Sequence, residues 1–343
     1  MPIGTVGAVK GILPEQIRAL GSEMILANTY HLVIRPGVDV VEKVGGLHRF
    51  MAWDGPILTD SGGYQIFSLS SLTRIDDQGV EFASHVDGRR IYLDAESATQ
   101  IQNRLGADVI MCLDQCTPFP AKTADLETAV QRTIRWAGRC KQAHRNPAQM
   151  LFGIVQGGTD LALRTTCARA LQEVGFDGYA IGGLSVGEGH DLMILAVGHT
   201  TPYLPPERPR YLMGVGMPAD IIAAVKAGVD MFDCVLPTRN GRNAYAFTAN
   251  GPLRLRNSVH TDESEPVEPG CDCYACRHYT RAAIRHFFVS GEMLGPILLS
   301  MHNIRFYQRL MAQIRSALDQ GVFADWAEDR LAGYRSQQDD PVP

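Results

Sequence analysis

Residues 231–248, MFDCVLPTRNGRNAYAFT, place one carboxylate, Asp233, directly after a short apolar run and two arginines, Arg239 and Arg242, just beyond it. A hydrophobic run ending in Phe232-Asp233-Cys234 has the form of the C-terminal mouth of a buried strand, where barrel enzymes place reacting side chains. Arg239 and Arg242 are planar, permanently charged forks suited to phosphates or guanine edges. Taken alone, Asp233 is read more simply as a helix N-cap or a paired carboxylate. What changes that reading is the rest of the chain, which repeats the same plan.

Upstream, short apolar runs end in polar or glycine-rich mouths: 24–27 into Asn28-Thr29-Tyr30-His31, 57–59 into Asp60-Ser61-Gly62-Gly63-Tyr64, and 108–113 into Asp114. The same holds for 151–155 into Gln156-Gly157-Gly158, 179–181 into Gly182-Gly183-Leu184, and 211–213 into Gly214. Stretches with helical spacing separate most of them, such as 95–105 stopped by Gly106, 126–143, Leu161–Val174 and 218–227. By Asp233 the strand has recurred seven times. This predicts an α/β protein, a (β/α)8 TIM-type barrel, over an open doubly wound sheet. Residues 244–248 are the expected eighth strand. No Gly-x-Gly-x-x-Gly opens an early helix, which counts against dinucleotide binding. Residues 76–92 alternate between turn signals DDQG and DGRR and are expected to form a hairpin insertion.

The composition bounds the partners. With 343 residues, 45% of them hydrophobic, the chain can fill one large core. A net charge of −5 supplies no global pull on nucleic acid, so any such binding needs local basic patches. With no basic, apolar leader before Pro2 and no apolar run of membrane-spanning length, a cytoplasmic, thiol-reduced protein with no membrane partner is expected.

Of eight cysteines, Cys271, Cys273 and Cys276 crowd into CDCYAC after the acidic, proline-bearing loop 262–270. Three thiolates this close suit one tetrahedral zinc ion, one ligand short. His278, His286 and His302 are the candidates for the fourth place, and the absence of an open position argues for a structural ion. The expected organisation is a barrel over 1–256 and a zinc-binding subdomain with C-terminal helices over 257–343. Arg277, Arg281 and Arg285, then Arg305 and Arg309, recur every four residues and are the expected phosphate track.

In a barrel, Asp60, Asp114 and Asp233 converge. Two carboxylates can divide a displacement at a sugar carbon between nucleophile and acid/base, as retaining glycosidases do. The third is left for recognition: Asp114 can accept two N–H donors from a guanine-like edge, while Gln156 and the Gly183 N–H address its carbonyl. Tyr64 and Met213 offer walls between which a base could lie.

The motifs ANTYHL, TDSGGYQIFSL, MCLDQC, GIVQGG, YAIGGLSVGE, RYLMGVG, MFDCVLPTRNGRNAYAFT and CDCYAC followed by MHN together resemble the bacterial tRNA-guanine transglycosylases over nearly the whole chain. The resemblance implies exchange of guanine at the wobble position of G-U anticodons (Asp, Asn, His and Tyr tRNAs) for a queuine precursor. In that family Asp233 matches the nucleophile that forms a covalent tRNA intermediate, and Asp60 the general acid/base. Asp114, Gln156, Gly183 and Leu184 match the residues around the base, Tyr64 and Met213 its sandwich, and Ser61 and Cys116 the same pocket. Arg239 and Arg242 match arginines beside the flanking anticodon bases. Cys271, Cys273, Cys276 and His302 match the zinc ligands, which selects His302. A homodimer is also implied. Val186 is bulkier than the glycine of the eukaryotic pattern and, with Cys116, predicts the small base preQ1 (7-aminomethyl-7-deazaguanine) as substrate. The family pattern usually carries an antiparallel segment ahead of the strand with which this chain starts, a difference expected to bear on closure of the barrel. An archaeal-type relative acting in the tRNA body, a non-catalytic partner subunit and a hydrolytic glycosidase are the other readings of the same features.

Overall fold

A computed structural model describes residues 1–69 and 73–335. Eight parallel strands follow one another in sequential order around one sheet. They are β1 (Ile3–Gly4), β2 (Ile25–Ala27), β3 (Ile57–Thr59), β4 (Val109–Met111), β5 (Met150–Val155), β6 (Gly178–Ile181), β7 (Arg210–Leu212) and β8 (Met231–Phe232). Each neighbouring pair is hydrogen-bonded in parallel register.

Strand side chains alternate between two faces, and here the alternation sorts two cores. Ile3, Leu26, Leu58, Val109, Met111, Phe152, Ile154, Ala180 and Tyr211 form one buried cluster, to which every strand from β1 to β7 contributes. Their neighbours Ile25, Ile57, Ile110, Leu151, Val155, Ile181 and Leu212 face the surrounding helices. A single inner cluster shared by β1 and β7 requires the sheet to curl on itself, as in a TIM-type barrel. The Met1 amine closes the remaining seam by donating to the Phe232 carbonyl at 2.8 Å.

Two sequence expectations are corrected. The missing barrel strand is at the front of the chain, Ile3–Gly4, and not at 244–248. Tyr245–Ala246 instead pairs antiparallel with Leu253–Arg254 outside the barrel. Phe247 beside it packs on Phe306 and Tyr307 of the helix Leu294–Asp319, so the apolar character that suggested a barrel strand serves a helix interface. The insertion is also larger than a hairpin: Thr73–Ile75, Gly79–Ala83 and Arg90–Asp94 form a three-stranded antiparallel sheet. Its first strand is exposed throughout and therefore carries no hydrophobic alternation to read.

The long helix Leu294–Asp319 braces the segment after β8. Asn303 donates to the Pro237 and Tyr245 carbonyls and accepts from the Phe247 N–H, and Tyr307 donates to the Gly216 carbonyl. Among the described residues no helix is long and apolar enough to cross a membrane. The expected unit 257–343 extends past residue 335, and residues 336–343 lie outside the described residues.

Candidate active site

Every strand from β3 to β8 delivers a polar or glycine residue to the C-terminal mouth. Asp60 follows β3 directly and is buried. Its Oδ1 accepts from the Thr29 N–H at 2.9 Å, and its Oδ2 accepts from the Asn28 amide at 2.5 Å and the Gln65 amide at 2.9 Å. Burial nonetheless outweighs these three donors and pushes its pKa up to about 6, with the charge of Asp233 adding to the rise. A carboxylic acid near 6 is poised to give and take protons at neutral pH.

Asp233 follows β8 and is equally buried. One oxygen, Oδ1, takes both donors, the Tyr211 hydroxyl at 2.5 Å and the Gly214 N–H at 2.8 Å. Oδ2 receives no hydrogen bond from the described residues. Two acids of one kind thus occupy different environments: one clamped on both oxygens, the other held by one and open at the other.

Asp114, beyond β4, accepts from the Ser61 hydroxyl at 2.8 Å and the Gln156 amide at 2.7 Å, while burial raises its pKa. A Cβ on Gly63 would lie 2.8 Å from both an Asp114 carboxylate oxygen and its carbonyl, so this carboxylate demands glycine opposite it. Gln156 is buried and its Oε1 has no partner among the described residues. Gly183, at φ +65°, leaves no room for a side chain because a Cβ would meet that same oxygen at 2.2 Å. Its N–H donates to no protein group among the described residues. A buried carboxylate, an unpaired amide oxygen and a free backbone N–H side by side form a hydrogen-bonding edge awaiting a ligand.

Of the other expected pocket residues, Leu184 and Cys116 are buried, Met213 is half-buried and Tyr64 is 49% exposed. Burial pushes the Cys116 thiol up to about 12, so it lines the site as a neutral group. Glu188, buried, accepts the Ser185 N–H at 2.5 Å and the Val186 N–H at 2.9 Å and so shapes the loop after β6, where Ser185 sits at φ 60°.

Arg239 and Arg242 lie on the helix Leu236–Arg242, which starts three residues past Asp233. Neither forms an ion pair among the described residues, and Arg242 keeps Nη1 buried without a partner. Burial, then the charge of Arg239, lowers the Arg242 pKa. The expected arginine track fares differently. The helix Tyr274–His278 ends before Arg281, and Thr280 caps the next helix, Arg281–Ser290, by accepting from the Ala283 N–H. Arg277 and Arg281 therefore share no helix face. Arg281 is engaged with Glu263 and with the Pro266 and Val267 carbonyls, Arg305 with Asp272, and Arg309 with Glu268.

The sulfurs of Cys271, Cys273 and Cys276 and a ring nitrogen of His302 all lie within 4.8 Å of one another. His302 Nδ1 stands 3.7, 3.8 and 3.3 Å from the three sulfurs. Tetrahedral metal–sulfur and metal–nitrogen bonds of about 2.3 and 2.1 Å would separate S and N by about 3.6 Å, so the set fits a four-coordinate ion. His302 Nε2 donates to the Phe247 carbonyl at 2.8 Å, which leaves Nδ1 as the ligand atom.

The family model for queuine tRNA-ribosyltransferase matches residues 1–336. The chain belongs to the queuine tRNA-ribosyltransferase family. The protein named Queuine tRNA-ribosyltransferase in Nitrosomonas eutropha is 53% identical over 327 residues, covering 95% of the chain and 91% of that protein. That of Azotobacter vinelandii is 48% identical over 343 residues, with 100% of the chain and 91% of the relative covered. That of Idiomarina loihiensis is 48% identical over 329 residues, covering 96% and 88%. A member of this family is a pentosyltransferase, and two buried carboxylates of unlike environment at one barrel mouth suit transfer at a sugar carbon.

Sequence reasoning found the family acids and missed Asn28, Gln65 and Tyr211, which hold Asp60 and Asp233, and Glu188, which shapes the loop after β6. Asn28 and Glu188 stand inside quoted motifs, at a strand end and after a glycine pair, and that position was the available signal. Tyr211 lies within β7 on the barrel-facing side, which the alternation of the strand indicates.

Proposed function

We propose that the chain exchanges guanine at wobble position 34 of tRNAs whose anticodons begin G-U for preQ1, in queuosine biosynthesis, by double displacement through a covalent Asp233–tRNA intermediate. The observation that carries this reading is the unequal treatment of the two acids. Asp233, with Oδ2 open, suits attack on the ribose C1′; Asp60, raised to about 6, suits proton transfer.

In the first step Asp233 Oδ2 bonds to C1′ while the C1′–N9 bond breaks, and its electron pair leaves on guanine, which takes a proton from Asp60. In the second, Asp60 removes the N9 proton of preQ1, N9 bonds to C1′, and the C1′–Oδ2 bond breaks to restore the Asp233 carboxylate. Two inversions give retention. Asp114 receives the N1–H and amino N–H of the base, the second Nε2 hydrogen of Gln156 and the Gly183 N–H address its carbonyl side, and Leu184, Ser61 and Cys116 complete the pocket between Tyr64 and Met213. The limited room beside Val186 favours preQ1 over the bulkier queuine.

Arg239 and Arg242 hold the anticodon loop beside the target. Cys271, Cys273, Cys276 and His302 hold one structural zinc, the ion suited to a closed thiolate-rich tetrahedral set. Residues 1–256 make up the barrel unit and 257–343 the zinc-bearing unit, and the enzyme works as a cytoplasmic homodimer. The test is a tRNA adduct resistant to denaturing electrophoresis, expected from the wild type and absent from Asp233→Asn. An adduct that persists in Asp233→Asn would remove Asp233 from the role of nucleophile.

A further inference from the structure

Behind the base-binding edge lies a buried cation held by carbonyls, with the charge of buried Glu188 acting on it from beyond ion-pair distance. Arg164, on the helix Leu161–Val174, is wholly buried, and no carboxylate of the described residues pairs with it. Its Nε donates to the Gly158 carbonyl at 2.6 Å and its Nη2 to the Gly182 carbonyl at 3.0 Å, while Nη1 has no partner. These two carbonyls belong to the loops that leave β5 and β6, the loops that carry Gln156 and Gly183. Burial lowers the guanidinium pKa to about 10, still far above neutrality, so the group is a cation in the folded protein.

A buried charge outside a direct ion pair is costly even when carbonyls accept from it, so its presence here calls for a role that a neutral residue would not fill. The geometry identifies the task. The Gly182 carbonyl that Arg164 binds and the Gly183 N–H, which has no protein acceptor among the described residues, are the two ends of one peptide group. A cation donating to the oxygen of a peptide draws electron density from its nitrogen, which makes the N–H a stronger donor.

We propose that Arg164 is a positioning residue for base exchange: it clamps the β5 and β6 loops together and polarises the Gly182–Gly183 peptide, so that the Gly183 N–H gains strength toward the carbonyl oxygen of the bound purine. The proposal rests on the reading of Gly183 as a base contact. It also gives the departing guanine, whose electron pair spreads toward that oxygen, a cation one peptide away.

The test compares guanine with 6-thioguanine, which keeps the N1–H and amino group but carries sulfur, a weaker acceptor, in place of oxygen. The readout is the ratio of kcat/KM for the two bases in exchange with tRNA, taken within each preparation so that the active fraction cancels. Wild type prefers guanine. Arg164→Gln, neutral, lowers that ratio at least fivefold, and Arg164→Lys, a cation with reach to one carbonyl, lowers it two- to threefold. KM for tRNA stays within twofold in both. If Arg164→Gln does not fold, Arg164→Lys alone decides. An unchanged ratio in either folded variant, or KM for tRNA rising in step with that for guanine, overturns the proposal as a merely structural effect. If the wild type itself does not discriminate between the two bases, the reading of Gly183 fails, and this proposal with it.

Discussion

Tyr211 donates its hydroxyl to Asp233 Oδ1 at 2.5 Å from within the adjacent strand β7. Burial first, and then the charge of Asp233, pushes the tyrosine pKa well above 10, so the phenol is a permanent donor. With the Gly214 N–H on the same oxygen, the carboxylate cannot rotate freely, and the same face of it is always presented.

Tyr211→Phe removes one charge-assisted hydrogen bond and keeps the ring that fills the barrel interior. A bond of that kind contributes about 1.5–3 kcal/mol, so kcat for guanine exchange falls roughly 10- to 100-fold. KM for tRNA changes little, because the ring and the arginines are untouched. Steady-state kinetics with labelled guanine check both values.

Asp60 makes stability depend on pH. Its folded pKa, about 6, exceeds its ordinary value of 3.8, so between these limits the folded chain binds more protons than the unfolded one. Its contribution is fully present below pH 3.8 and is lost as pH rises through 6, at up to about 1.4 kcal/mol per pH unit. Urea unfolding at pH 4.5 and 6.5 is expected to show this slope in the wild type and a shallower one in Asp60→Asn. An identical slope in both would refute the assignment.

Arg239→Ala weakens tRNA binding without altering binding of the free base. Each lost phosphate contact lowers the slope of log K against log salt by about 1. Titration of tRNA at several salt concentrations measures this, and Arg281→Ala, whose guanidinium is occupied by Glu263, is the expected silent control for the salt slope.

Val186→Gly enlarges the loop after β6 while leaving the backbone N–H that Glu188 accepts. Queuine incorporation is expected to appear, with preQ1 incorporation retained within about tenfold. No gain in queuine would show that the size of residue 186 does not set the choice of base.

The parts of the fold that could be read are those in which one segment carries its own signal. β2 to β8 are apolar runs broken by a polar or glycine residue, and each was visible. β1 spans only Ile3–Gly4, too short to show a period, and it becomes a strand because β2 supplies its partners. The arginine repeat held within each helix, Arg281 with Arg285 and Arg305 with Arg309, but not across Thr280, where a new helix starts and Arg277 is left on the one before it. In the site, the acids stood out at strand ends, whereas the clamp on Asp60 brings Asn28, at the end of β2, together with Gln65, on the helix Gly63–Leu69, and exists only after folding. The Cys3His group was half legible: three ligands were local, and the fourth came from the helix Leu294–Asp319, chosen by the motif around it.

His302 and Asn303 are consecutive residues on that helix. One completes the Cys3His group, and the other ties down Pro237 and Tyr245 on either side of Arg239 and Arg242. On the proposed function, an ion held there would fasten the segment that carries Arg239 and Arg242. Gradual chelation of the enzyme is expected to loosen tRNA first, raising its KM several-fold while the free base still binds. A cell short of zinc would then hold a protein that recognises its small substrate and has lost hold of the large one.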